Sequence, residues 1–336
     1  MTDPLVARSL VQSPILRPGG LLSLALAALA VAVVAATGSR LLVSLVTQAT
    51  IIAMLALSVG FLARTADLYS FGHAAPFGLG AYGAALVLKA EVQTELGLLA
   101  MLAGICLLFF LVGLLVSRLS GIAFSMLTLA LGQFFFVAVS KFRTVTSGED
   151  GMLVAMPRSL FGIPGRTFQT PDGMLVAASA LLAAAVVAIY LFEATRTGRL
   201  AVGVRENEER VLFLGYRTKV LKAAIFAASA LIAALSGVLF ALYQGFVSPE
   251  IMHWSFSGNA LIMAILGGSL VVWGPVAGAF VFFFLREWLL GATEHWHAVL
   301  GAILILVTVA WPGGIGGLEG LVRRRLRGVR APGAGG

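Results

Sequence analysis

The sequence predicts an all-α polytopic membrane protein of about ten transmembrane helices, and three observations carry that prediction. Of the 336 residues, 60% are hydrophobic and only 11% charged, against about 25% charged in an ordinary soluble domain. The mean hydropathy is +1.00, so a soluble fold of this size could not cover its own surface. The apolar residues are also gathered into runs long enough to cross some 30 Å of hydrocarbon.

Taken in order, the candidate spans are 21–37, 41–63, 76–90, 97–117, 121–140, 173–192 and 219–244. Three shorter and poorly separated runs follow, near 258–272, 275–290 and 296–312, and some of these can be re-entrant rather than spanning; eight or nine crossings remain open. Ten crossings place both ends on one side. The net charge of +8 is distributed as the positive-inside rule expects rather than as a nucleic-acid footprint. Arg118, the 193–218 loop and the tail arginines Arg323, Arg324, Arg325, Arg327 and Arg330 fall on the cytoplasmic side. Such a basic tail suits contact with membrane lipid. The expected organisation is a cytoplasmic segment 1–20, a transmembrane domain 21–312 and a basic cytoplasmic tail 313–336. Loop 141–172, with four basic and three acidic residues, faces outward. The start of the chain lacks the pattern of a cleavable signal peptide, and there is no clear sequence repeat. Cys106, the single cysteine, permits no internal disulfide.

Against this background, "TRTGRLAVGVRENEERVLFLGYRT" (195–218) stands out, because eight of its 24 residues are charged. Its core "VRENEERVLFL" lacks Gly and Pro and predicts a helix of about ten residues, started near Gly203 and stopped by Gly215. Val204, Val211, Leu212 and Leu214 gather toward one side of it, with Arg205, Glu206, Asn207, Glu208, Glu209 and Arg210 elsewhere. Apolar knobs with charged edges suit a docking element; a helix lying on the lipid surface is the alternative.

A second polar cluster lies inside apolar sequence. "SFGHAAPFGLGAYGAAL" (70–86) sets Ser70, His73 and Tyr82 among Gly72, Gly78 and Gly80. Polar groups at membrane depth are costly and mark functional sites, and glycines allow close helix approach. Pro76 suits a first helical turn. Residues 68–75 are therefore expected to form a broken or re-entrant segment whose free N–H groups could meet a carboxylate. The plainer alternative makes His73 a packing residue hydrogen-bonded to a neighbouring helix. Thr128 and Asn259 are further polar positions within apolar runs, suited to interhelical bonds or to a solute path. Arg64 and Asp67 read as an i,i+3 ion pair at a helix end. Glu149, Asp150 and Glu250 sit at the outer rim, where charge can steer a partner; a solvated loop is the alternative. The four histidines have no metal-ligand spacing, and neither a metal nor a cofactor is implied.

These stretches resemble the permease subunit of branched-chain amino-acid ABC importers, the LivM type. The resemblance runs from about residue 40 to 327, through 198–250, "SFGHAAPFGLGAYGAAL", "GIAFSMLTLALGQ" (121–133), "TSGEDGM" (146–152), "SGNALIMAILGGSLVVWGPVAGA" (257–279) and "WPGGIGGLEGLVRRRLR" (311–327). It implies an inner-membrane transport subunit that works with a second, LivH-like permease, two cytoplasmic ABC ATPases and an extracytoplasmic solute-binding protein. The 203–215 stretch would be the coupling loop, Ser70 to Tyr82 with Thr128 and Asn259 the translocation path, and Glu149, Asp150 and Glu250 the binding-protein contact. "RTADLY" before Ser70, and Pro76 where the family commonly has an aromatic, depart from its pattern and leave the solute open among branched-chain amino acids, urea, amides and other small carboxylates. The chain has no phosphate-binding Gly-rich loop, no H-E-x-x-H and no G-x-S-x-G, so ATP hydrolysis and intramembrane enzymology have no residues here. A secondary transporter running on an ion gradient would need ionisable groups at midplane depth, where this chain offers His73, Asp67 and little else.

Overall fold

The computed structural model describes residues 39–90, 93–269, 271–310 and 313–317. The span at 21–37, the N-terminal segment and the arginine tail lie outside them. Among the described residues, each of the other nine candidate spans falls on a helix. In chain order the helices are α1 (Arg40–Ala66), α2 (Ala74–Lys89), α3 (Thr94–Val116), α4 (Gly121–Lys141), α5 (Arg143–Thr146), α6 (Arg166–Gln169), α7 (Pro171–Ala194), α8 (Arg196–Glu206), α9 (Glu208–Phe213), α10 (Thr218–Gln244), α11 (Trp254–Gly267), α12 (Gly274–Ala292) and α13 (Trp296–Ala310). Six are long and apolar enough to cross a membrane (α1, α3, α4, α7, α10 and α12), whereas α2 and α11 are short.

The long helices divide by burial. In α1 and α10, 78% of the most apolar stretch is buried inside the protein, against 22% in α3 and α4, so the first pair forms the core and the second faces outward. Each of the core pair has 27 residues, about 40 Å at 1.5 Å per residue. They run antiparallel in strict register. Tyr243 bonds Ser44, Ser236 Oγ donates to the Ile51 carbonyl at 2.6 Å, and Ser229 Oγ donates to the Ser58 carbonyl at 2.7 Å. Each step of seven residues, two helical turns, along α1 is matched by seven back along α10.

This register gives the bundle an inverted near-symmetry that the sequence does not display. Both core helices end on a left-handed residue, Asp67 (φ 53°) and Gly245 (φ 67°). A stretch that is not α-helical then turns back into the bundle, with one 3-10 turn at Pro249–Met252 in the second case, and a short helix follows with a histidine, His73 or His253, at its N-cap. The two short helices meet at their starts, where the Ala74 N–H donates to Ser257 Oγ at 2.7 Å. Ser229, which holds His73, is eleven residues into α10, so α2 begins about 16 Å inside the bundle. The expected broken segment at 68–75 is therefore present, and 246–253 is a second one that the sequence reading did not mark.

The ends of the bundle differ. At one, β1 (Met152–Leu153) pairs antiparallel with β4 (Phe246–Val247), tying loop 141–172 to the end of α10. Within that loop β2 (Ser159–Leu160) and β3 (Ile163–Pro164) form a hairpin through Phe161 and Gly162, both at positive φ, as a tight primed turn requires. The other end carries α8 and α9.

Glycine sets the spacing between α2 and α10. A Cβ on Gly80 would lie 2.2 Å from the Ala234 carbonyl, and one on Gly237 would lie 1.9 Å from that of Phe77; small residues let membrane helices touch backbone to backbone. Gly237→Val is expected to abolish the folded, monodisperse protein in detergent. Gly104→Ala, with nothing within 4 Å of the new methyl, should leave the thermal midpoint unchanged in the same assay.

Candidate functional site

The broken segment 67–73 puts irregular backbone at membrane depth, where every polar group needs a partner. Thr128 Oγ1 accepts from the Phe71 N–H at 3.2 Å, and Ser70 Oγ from that of Gly72 at 3.2 Å. Ser125 Oγ donates to the Tyr69 carbonyl at 2.6 Å. Gly72 packs on α4 so closely that a Cβ would lie 2.5 Å from the Thr128 carbonyl. His73, 1% exposed, approaches Ser229 Oγ with Nε2 at 2.6 Å. Because the Ser229 proton goes to the Ser58 carbonyl, the bond from His73 must be donated by Nε2–H. This chain, His73 to Ser229 to Ser58, bolts the start of α2 to both core helices.

The placement corrects one expectation. The first N–H groups of α2 are not open to a carboxylate: Ala74 N–H is taken by Ser257 and Ala75 N–H by the Gly72 carbonyl, while Pro76 has none. Ser70, His73 and Tyr82 are buried, Gly78 packs on Met252 and Gly80 on α10. Thr128 ties α4 to the broken segment rather than to another helix. Asn259 is exposed on α11 and borders a cavity between α1, α11 and α12.

The polar segment departs from its expected form in two ways. A first helix, α8, already starts at Arg196, capped by Thr195 Oγ1 accepting from Gly198 N–H at 3.0 Å, so Gly203 lies inside a helix rather than at its start. Asn207 then breaks the run and caps α9, accepting from Arg210 N–H at 3.0 Å. Gly215, at φ 84°, is the stop that was expected. Its N–H donates to the Leu212 carbonyl and that of Tyr216 to Val211, which is the Schellman pattern. Val204 and Val211 are buried, but Leu212 and Leu214 are not on their side: they are exposed with Phe213 (91%) and Tyr216.

One ion pair and one hydrogen bond to an ion-paired arginine fix this segment to the core. Arg64 does not pair with Asp67. It binds Glu193 at the end of α7 through both carboxylate oxygens, at 2.5 and 3.0 Å, and Arg205 Nη1 donates to the Arg64 carbonyl at 3.1 Å. Lys222 of α10, 6% exposed, binds Glu208 at 2.5 Å. Arg205, Glu206, Asn207 and Arg210 stay exposed. At the opposite end Glu149 and Glu250 line one open groove of about 400 Å³ with Lys141 and Ser248, and Asp150 is exposed beside it.

A bundle of membrane-crossing helices, with two broken helices meeting inside it and a capped polar element at one end, defines a multi-pass membrane protein of the transporter kind. The chain belongs to the family described as branched-chain amino acid transport system / permease component, whose model matches residues 41–308. It is similar to the high-affinity branched-chain amino acid transport system permease protein LivM of Escherichia coli (strain K12). The two are 28% identical over 305 residues, which cover 82% of this chain and 70% of that protein. The protein of the same name from Salmonella typhimurium (strain LT2) is 27% identical over 305 residues with the same coverage. No solved structure matches the chain.

Ser229→Ala removes the partner of a buried imidazole, and bonds of this kind between membrane helices are worth about 1 kcal/mol. The thermal midpoint of the purified protein is expected to fall by a few degrees, and Ser229→Thr, which keeps the hydroxyl, should recover most of that loss.

Proposed function

We propose that this chain is the permease subunit of an ATP-driven importer of branched-chain amino acids. In this reading it pairs with a second, LivH-like permease, is driven by two cytoplasmic ABC ATPases and receives its solute from an extracytoplasmic binding protein. The name of the LivM relatives, permeases of a high-affinity branched-chain amino acid transport system, supports the solute class. The observation that carries the mechanical half is the tip of α9. Leu212, Phe213, Leu214 and Tyr216 are all exposed, outside the apolar span of α10, on a helix that is capped at both ends. An apolar patch of this kind on a rigid, charge-edged element is the mark of a protein contact. Docking there would place the segment and both termini in the cytoplasm, with the Glu149, Asp150 and Glu250 rim outside.

A push on α9 has two rigid routes inward. Lys222–Glu208 carries it to α10, and Arg205 with Arg64–Glu193 carries it to α1 and α7. The end of α1 leads within a few residues into the broken segment at 67–73, so movement there would shift the start of α2. ATP-driven closure changes access only if the segment sits differently in the two states, since a contact equal in both shifts no population. Ser70, Gly72, His73, Gly78, Gly80, Tyr82, Thr128 and Asn259 are the positions assigned to that change of access. Chemistry on ATP belongs to the partner chains.

Two experiments test this reading. Phe213→Asp should leave the thermal midpoint of the isolated permease unchanged, because the ring is 91% exposed, yet remove the ATPases from the affinity-purified complex. Retention of both ATPases in that variant removes the docking role. Glu206→Ala combined with Arg210→Ala should abolish uptake in liposomes while the assembled ATPases still bind nucleotide; uptake at the wild-type rate, or uptake by the permeases without any ATPase, overturns the proposal.

A further inference from the structure

The two halves of the bundle pack differently around their core helices. On the α10 side, α2 closes against its core helix through Gly80 and Gly237 and leaves no room. On the α1 side, α11 and α12 touch backbone to backbone only near Gly267 and Gly278, where a Cβ on Gly278 would lie 2.1 Å from the Met263 carbonyl. Two turns further along α12 the gap between α1, α11 and α12 holds a cavity of about 120 Å³. Its walls are the buried side chains of Leu55, Met263, Phe282 and Phe283, and its polar members are Asn259 and Arg286.

The depth and chemistry of this cavity are unusual for a membrane helix surface. Pro275 of α12 packs on Gly60 near the end of α1. Arg286 is eleven residues further on, about 16 Å along the axis, with six more helical residues beyond it. It therefore lies within the span, about 9 Å from the nearer end of α12, where a charged side chain is costly and marks a solute path. The Arg286 Nη1 has Glu287 Oε1 3.6 Å away, and both side chains are about one-third exposed. The cavity itself is close to the roughly 150 Å³ that a dry aliphatic and aromatic lining offers to one benzene-sized group. A planar guanidinium is the side chain best suited to a carboxylate.

We infer that the cavity between α1, α11 and α12 is a binding site for a small amphipathic carboxylate, a step on the path of the transported amino acid. The aliphatic side chain occupies the space between Leu55, Met263 and Phe283, the carboxylate faces Arg286 and the Asn259 amide faces the remaining polar group. This rests on the transport reading above and adds to it a place and an orientation for the solute.

The test uses the complete complex with its second permease and ATPases in lipid nanodiscs, irradiated with a diazirine analogue of leucine, and the label mapped by mass spectrometry. Label is expected on Met263 and the Phe282–Phe283 stretch. Excess leucine should remove it, and excess leucinamide, which lacks the carboxylate, should not. Arg286→Gln should lower the label at least tenfold, Arg286→Lys should keep part of it, and Asn259→Leu, an exposed position that tolerates the change, should lower it several-fold. Uptake of leucine by wild-type liposomes with ATP and the binding protein is measured beside it. Absence of that uptake removes the transport reading whatever the label shows. Normal uptake with an unlabelled cavity, with label that leucine does not displace, or with label unchanged in Arg286→Gln removes the site alone.

Discussion

Backbone that leaves helical geometry inside a membrane must find its hydrogen-bond partners within the protein, and this constraint organises the whole bundle. Two stretches, 67–73 and 246–253, break the helical pattern and turn back into the apolar interior. The first is held by hydroxyls from two neighbouring helices, with Ser125 and Thr128 on α4 and Ser257 on α11. His73 adds a bond to α10 through Ser229. Small hydroxyl side chains suit this task because they reach backbone groups without forcing helices apart. The central pair uses the same device, with Ser229 and Ser236 of α10 each donating to an α1 carbonyl.

Rigidity at the polar end has a different origin. There the segment 195–218 lies beyond the apolar spans, and its two short helices combine end caps with a few buried contacts at Ala201, Val204 and Val211. Thr195, Asn207 and Gly215 supply the caps, and N-caps such as the first two are worth on the order of 1 kcal/mol. The ion pairs Arg64–Glu193 and Lys222–Glu208 are partly buried, which spares them the solvent screening that weakens exposed pairs. The result is an element whose position is set by the ends of α1, α7 and α10 while its apolar tip stays outside.

Much of this could be read from the chain. Long apolar runs gave the helices because length and hydropathy alone decide a membrane span, and 41–63 and 219–244 fall within α1 and α10. "SFGHAAP" announced a break through its glycine, its proline and its polar residues at depth. Gly215 announced a stop. What could not be read depends on pairing across the chain: Glu193 is 129 residues from Arg64, so a nearby Asp67 looked the better partner. The division of the polar segment at Asn207 did have a local signal, an amide followed by two acidic residues that suit an N-cap and first turn, masked by the helix-forming run around it. The second broken stretch, "FVSPEIMH", carries a proline and short polar residues but follows a long helix so directly that it reads as an ordinary outer loop. Apart from the two N-cap histidines, the inverted near-symmetry left little trace in residue identity, because apolar side chains facing lipid can be exchanged freely while the backbone path stays the same.

One helix, α10, joins the polar end, the first broken segment and the outer loop. At its first turns Lys222 holds the capped element, midway Ser229 holds His73, and just past its last residue β4 pairs with the loop that borders the acidic rim. A stiff rod fastened at both faces cannot respond to one without reporting to the other. If a partner seated at the tip of α9 tilts α10, then a partner seated at the outer groove must alter, by the same free energy, how firmly the first is held. Arrival of cargo on one side of the membrane would thereby be legible on the other before anything has crossed.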